Sequence, residues 1–227
     1  MELGGLPVET DVSRGVWISS ARRRAEPGTV AALVPDVFEA YARVLHPAVR
    51  YRGDDDVEVP WAEVAAHNGT VRRPLADWDA LTHGPVDSQP PVWDDGPSEG
   101  HLPVALAARL AAVLARHTTT AECLFGRWDG FGFDLHDPGT PPRLLLRGER
   151  DVVLVRGTVD DAVRNLAPEP HEQSANLWWP ADRAWCVVTD VDLRSTYVGG
   201  SAACIAELIA TPGLEAFPAA PRDRVTG

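Results

Sequence analysis

The chain has no lysine. All 21 of its basic residues are arginine, set against 33 aspartates and glutamates. The resulting net charge of −12 argues against general binding to a phosphate backbone, which needs a positive face. The dense basic cluster, Arg22-Arg23-Arg24, reads as a solvated arm. The missing lysine accompanies abundant Ala, Pro, Asp and Val, the composition of a GC-rich coding sequence, and carries no functional meaning. Cysteine is scarce too. Cys123, Cys186 and Cys204 are odd in number and show no CxxC spacing, which argues against a disulfide framework and a structural zinc site. Cys123 and Cys186 lie in apolar stretches and read as buried thiols. No apolar run reaches the length of a membrane span. The start, MELGGLPVETDVSRG, lacks the basic opening and apolar run of a signal peptide. GxGxxG, Walker A and GxSxG motifs do not occur. The expectation is a soluble protein of a reducing cytoplasm, with no cofactor and with neither nucleic acid nor membrane as partner.

What is present points to an α+β fold. The spacing of Val37, Phe38, Tyr41, Val44 and Leu45 after Asp36 predicts a helix over 36–46, stopped by Pro47. WAEVAAH, from Trp61 to the Asn68-Gly69 stop, predicts a second. VALAARLAAVLAR, Val104 to Arg116, predicts a third with a small-residue face. Val16-Trp17-Ile18 reads as a strand or a docked arm. Glu122–Trp128 reads as a strand entering an Asp129-Gly130 hairpin towards Phe131 and Phe133. Arg143–Arg147 and Asp151–Arg156 form a further strand pair. Thr158 with Asp161 resembles a capping box over a short helix. Trp185 to Leu193 alternates as a strand, Ser201 caps the helix AACIAELIA, and Leu214–Phe217 adds a last strand. Strand pairs joined by short turns predict a mostly antiparallel sheet with helices packed on one side.

A single domain spanning 1–227 is expected, with 1–35 as an arm. Pro74, Pro85, Pro90, Pro91, Pro97 and Pro103 exclude long regular structure over 70–103. Trp78 and Trp93 lie in that segment, and a disordered linker rarely carries large aromatics. It reads as an ordered irregular loop packed on its tryptophans.

Chemistry is harder to find. Asp190 and Asp192, two apart on a strand, would present both carboxylates on one side, for a divalent metal or for acid–base work. They equally mark a strand end emerging into solvent. The stretch Tyr197-Val198-Gly199-Gly200-Ser201 enters a helix; a glycine pair there can form a nest for an anion or simply allow a turn. Trp178, Trp179 and Trp185 flank a proline and read either as a binding platform or as a core corner. Asp134, His136 and Asp137 have metal-ligand spacing at what reads as a polar hairpin end. His46 and His117 read as helix-end histidines. No residue is assigned a catalytic role, and no metal ligand set is complete.

The stretch NLWWPADRAWCVVTDVDLRSTYVGGS, with ARHTTT, CLFGRWDGFG, RLLLRGERDVVLVRG and LEAFPA, resembles a family of uncharacterised actinobacterial proteins over about residues 36–217. That resemblance implies no activity. The order of helices, meander and terminal strand–helix is also loosely similar to the SUKH group of immunity and regulatory proteins, at the level of fold alone. Two functions remain open. One is a non-catalytic interaction module that binds a protein partner through its acidic surface. The other is a small-molecule binder or enzyme with a site at Asp190, Asp192 and the Gly199-Gly200 turn, roofed by Trp178 or Trp179.

Overall fold

The computed structural model describes residues 1–53, 55–132 and 141–225; Asp134, His136 and Asp137 lie outside them. In chain order the elements are β1 (Glu2–Leu3), β2 (Leu6–Pro7), α1 (Val16–Arg24), β3 (Ala40–Leu45), β4 (Ala48–Arg52), β5 (Asp55–Val59), α2 (Trp61–Asn68), α3 (Trp78–Leu81) and α4 (Val104–Leu114). Then follow β6 (Glu122–Trp128), β7 (Arg143–Leu144), β8 (Val152–Thr158), β9 (Leu177–Pro180), β10 (Cys186–Val188), β11 (Ser195–Gly200), α5 (Ala202–Ala210) and β12 (Ala216–Ala219). Eight strands form one sheet in the order β12-β3-β11-β10-β9-β6-β8-β7. Every neighbouring pair is antiparallel, so the protein is α+β.

The period-2 alternation of strand side chains builds a core on each face of the sheet. In β9, Trp178 enters one core and Trp179 the other; in β11, Val198 and Tyr197 divide the same way. On the first face α4 and α5 lay Leu106, Leu110, Leu114, Ile205 and Leu208 against Phe125, Trp178 and Val187. The opposite face is closed by Ile18 of α1, by Val30, Leu33 and Val34, and by Leu144 and Leu146. The first 35 residues are therefore ordered, and Leu6 of the β1–β2 hairpin also enters the first core.

A third apolar cluster belongs to residues 46–100. Trp61 of α2, Trp78 of α3 and Trp93 meet edge to face, with centroids 5.2 and 5.3 Å apart. Around them pack Val59, Val64, Leu81 and Val92, with Leu45 and Phe217 joining this cluster to the sheet. The proline-rich loop is held further by Arg43, a buried arginine of β3, which donates to the carbonyls of Pro74 and Ala76 at 3.2 and 2.8 Å.

Three sequence expectations are corrected. The segment predicted as a helix over 36–46 forms β3. Both faces of β3 are buried, so its apolar residues form a near-continuous run whose spacing also satisfies a helix. Val16-Trp17-Ile18 opens α1 rather than a strand. The Asp129-Gly130 hairpin is a 3-10 turn over Asp129–Phe131, and β6 pairs with β8 and β9 instead. The helices at Trp61 and Val104, the β7–β8 pair, the Thr158–Asp161 capping box and the Ser201 cap all form.

Candidate functional site

Asp190 and Asp192 do not share a strand. β10 ends at Val188, and the two acids occupy the connection to β11, where Asp190 Oδ1 accepts from the Asp192 amide at 3.2 Å. Their carboxylates do converge, on one cation. Arg150 places Nε 3.5 Å from Asp190 Oδ2 and bonds Asp192 through Nη2, while its guanidinium lies over the Trp128 ring, 5.3 Å from the centroid. Arg22, only 4% exposed, lines the space behind Asp190 and donates Nε–H to the Ala32 carbonyl at 2.8 Å. That space is about 20 Å³, room for one water. The acidic pair is thus charge-matched and has no room for a substrate. Arg22, read in the sequence as solvated, is buried because α1 packs on the sheet. Arg150 was missed: it stands forty residues away along the chain and only the fold brings it in.

The glycine pair is not a turn. Tyr197, Gly199 and Gly200 belong to β11, which pairs with β10 on one side and β3 on the other. Their amides serve the sheet, so no anion nest exists. A Cβ on Gly199 would stand 2.5 Å from Phe38 Cδ2 and 2.8 Å from Val34 Cγ1; close packing, not backbone freedom, requires glycine there. Gly199→Ala is expected to lower stability by about 1–3 kcal/mol through overpacking. Urea denaturation checks this, and an unchanged midpoint would show that Phe38 yields freely. Ser201 caps α5 by accepting from the Cys204 amide at 3.2 Å. Trp178, Trp179 and Trp185 are buried, so none roofs a site.

The three thiols and His46 are equally enclosed. Burial pushes the Cys123 and Cys186 thiols up and the Cys204 thiol to about 12, which removes thiolate at neutral pH. His46 is not at a helix end; it is fully buried beside β3. Its Nδ1 lies 2.7 Å from the Ser98 carbonyl, so Nδ1 carries the proton. Nε2 then accepts from Thr196 Oγ1 at 2.9 Å, and Thr196 in turn accepts from Thr189 Oγ1 at 2.7 Å. Every hydrogen in this chain of donors is committed. His117 pairs with Glu207 at 2.7 Å. No group of three or more His, Cys, Asp or Glu among the described residues is placed to hold a metal ion.

A cleft of about 410 Å³ lies where α2, α4, α5 and the start of β12 meet. Its apolar wall includes Leu45, Leu106, Ile209 and Leu214. Glu215 accepts from the first two amides of α2, Trp61 at 2.7 Å and Ala62 at 2.9 Å, and pairs with Arg72. Arg109 pairs with Glu58 at 2.7 Å. The positive end of α2 is thus capped by the chain's own carboxylate, and these charges are matched within the protein.

Net negative charge is concentrated elsewhere. Residues 46–100 carry eleven acids against four arginines, so seven of the twelve net negative charges fall in a quarter of the chain. Near the end of the β4–β5 ribbon, Tyr51 is 52% exposed. Its hydroxyl donates to Asp95 and its amide to Asp94 Oδ2 at 2.8 Å. The bond to Asp95, with the nearby Asp56 and Asp94 carboxylates, raises the phenol's pKa above its ordinary value. Asp55 and Asp56 extend this acidic surface along β5. No helix among the described residues is long and apolar enough to cross a membrane. Compared with family models, curated proteins and solved structures, the chain finds no match in any of the three.

Proposed function

We propose that this chain is a non-catalytic binding module that docks a basic protein partner on the face built by residues 46–100. The observation that carries this reading is the concentration of net negative charge on that face around the exposed Tyr51. A single-sign patch steers a partner of opposite sign and speeds encounter. A half-exposed tyrosine among carboxylates supplies the apolar contact area that charge alone does not. The enclosed thiols and histidine, and the Arg150 clamp on Asp190 and Asp192, leave the alternative, a small-molecule or catalytic site at those residues, without reactive groups or room.

The test is a pull-down at low and at moderate salt, with the wild-type chain and with a Tyr51→Ala/Asp55→Asn/Asp56→Asn variant. The expected result is a basic protein retained at low salt, weakened by added salt, and lost from the variant. Retention of nothing at low salt, or equal retention by the variant, overturns this function.

A further inference from the structure

A hollow of about 300 Å³ lies on the same acidic unit, between α3 and the segments around Val86 and Pro97. Trp78 forms part of its lining and is only 2% exposed. Trp61, Trp93, Trp128 and Trp185 each donate their indole N–H to an oxygen, while the Trp17 indole N–H is buried without a partner among the described residues. The Trp78 indole N–H makes no hydrogen bond among the described residues and lies beside Gly96, with which Trp78 lines the hollow. A Cβ built on Gly96 would stand 3.8 Å from that nitrogen. The backbone at Gly96 has no positive φ, so no backbone strain calls for glycine there.

The rest of the lining has two characters. Pro85 and Val86 offer an aliphatic wall. Asp79, Asp87 and Glu99 stand with a single arginine, Arg194, which reaches Asp79 at 3.6 Å and Glu99 at 3.3 Å. Asp87 makes no ion pair among the described residues, so the lining keeps two negative charges in excess. An anionic occupant is repelled. A wholly apolar one would leave the indole N–H desolvated without a partner, a loss that binding has to overcome. A cationic side chain on a polypeptide meets all three demands. Its methylene stem covers the aliphatic wall, its charged head meets the carboxylates, and a backbone carbonyl beside it accepts from Trp78.

We propose that this hollow is the specificity pocket of the acidic face and receives a lysine or arginine side chain of the partner, whose adjacent carbonyl oxygen accepts the Trp78 indole N–H. The proposal rests on the reading of residues 46–100 as the partner surface.

Fluorescence anisotropy with a labelled peptide of alternating glycine and arginine tests it on the full chain. Two variants alter the pocket: Asp79→Asn/Asp87→Asn/Glu99→Gln removes its charge with little change of shape, and Gly96→Val covers the indole N–H without changing charge. Asp55→Asn/Asp56→Asn removes charge outside it. The expected result is about tenfold weaker binding for each pocket variant, the scale of one lost charge-assisted contact, and a smaller loss for the outside variant. A second readout does not depend on affinity: the Trp78 indole N–H resonance, assigned with Trp78→Phe, is expected to shift on peptide addition. Wild-type affinity in both pocket variants, or an indole resonance that stays in place while peptide binds, overturns the pocket. In that event a loss confined to Asp55→Asn/Asp56→Asn leaves the acidic-face reading standing. Absence of peptide binding by the wild type at low salt also overturns the pocket, and the pull-down then decides the broader reading independently.

Discussion

Trp185→Ala is expected to lower the unfolding free energy by about 3–5 kcal/mol, the range for deleting a large aromatic from a packed core. Trp185 is fully buried on the helix-covered face of the sheet. Its ring meets Trp178 edge to face at 5.2 Å. Its indole N–H donates at 3.0 Å to the carbonyl of Leu114, the last residue of α4, where the helix tightens into a 3-10 turn over Ala115–His117. One side chain therefore fills the core and ties a helix end to the sheet. Removing it opens a cavity and deletes the hydrogen bond to Leu114. Trp185→Phe keeps most of the packing and loses the hydrogen bond, so its loss is expected to be smaller, about 1–2 kcal/mol. Chemical denaturation of both variants orders the two effects. A loss below about 1 kcal/mol in the alanine variant would mean that the surrounding residues collapse into the space.

The second large effect is on acid stability. Burial is the main cause that lowers the His46 pKa from its ordinary value to about 4, with His101 and Arg43 adding to it and the bond to Ser98 opposing. The direction follows from the committed donors: a second ring proton would face Thr196, whose own hydrogen already points at that nitrogen. At pH 7 the imidazole is neutral in the folded and, for the most part, in the unfolded chain. As pH falls below the unfolded value near 6.5, the unfolded chain binds a proton that the folded chain refuses, and stability declines until about pH 4. The full loss is about 3 kcal/mol at 1.36 kcal/mol per unit. His101, whose pKa is also lowered by burial, adds in the same direction. Unfolding free energies between pH 7 and 4 measure the slope. His46→Gln is expected to be less stable at pH 7 but to show a flatter profile over this window. A wild-type profile that is flat from pH 7 to 5 would mean that His46 is not held neutral.

Local signals were legible where one element could be read by itself. The Asn68-Gly69 stop works because Gly69 adopts a left-handed conformation, φ 65°. The Thr158–Asp161 box and the Ser201 cap act within three residues. Legibility failed where the meaning of a residue depends on a distant partner. β3 looks helical until β11 and β12 are known to flank it. Gly199 looks like a turn until Phe38 and Val34 are seen against it. Asp190 and Asp192 stand out in the sequence as a pair on a strand that in fact ends at Val188, and the arginine that joins them follows from no spacing rule. The acidic face was visible only as a total charge. Its concentration in 46–100 became meaningful once the three tryptophans Trp61, Trp78 and Trp93 showed that this stretch packs as one unit. The Trp78 hollow had no sequence signal at all, since its lining comes from α3, from the loop after it and from Arg194 far along the chain.

The position of β3 within the sheet has a consequence for synthesis. Ala40–Leu45 pairs with Ser195–Gly200 and Ala216–Ala219, strands made long after it. Until those strands are made an apolar strand stands with both hydrogen-bonding edges unpaired, and it closes only when a loop of more than a hundred residues is brought back upon itself. Such long-range closure slows folding and lengthens the time during which the nascent chain is exposed to aggregation. Pairing of β3 with β11 and β12 is therefore expected among the late steps of folding.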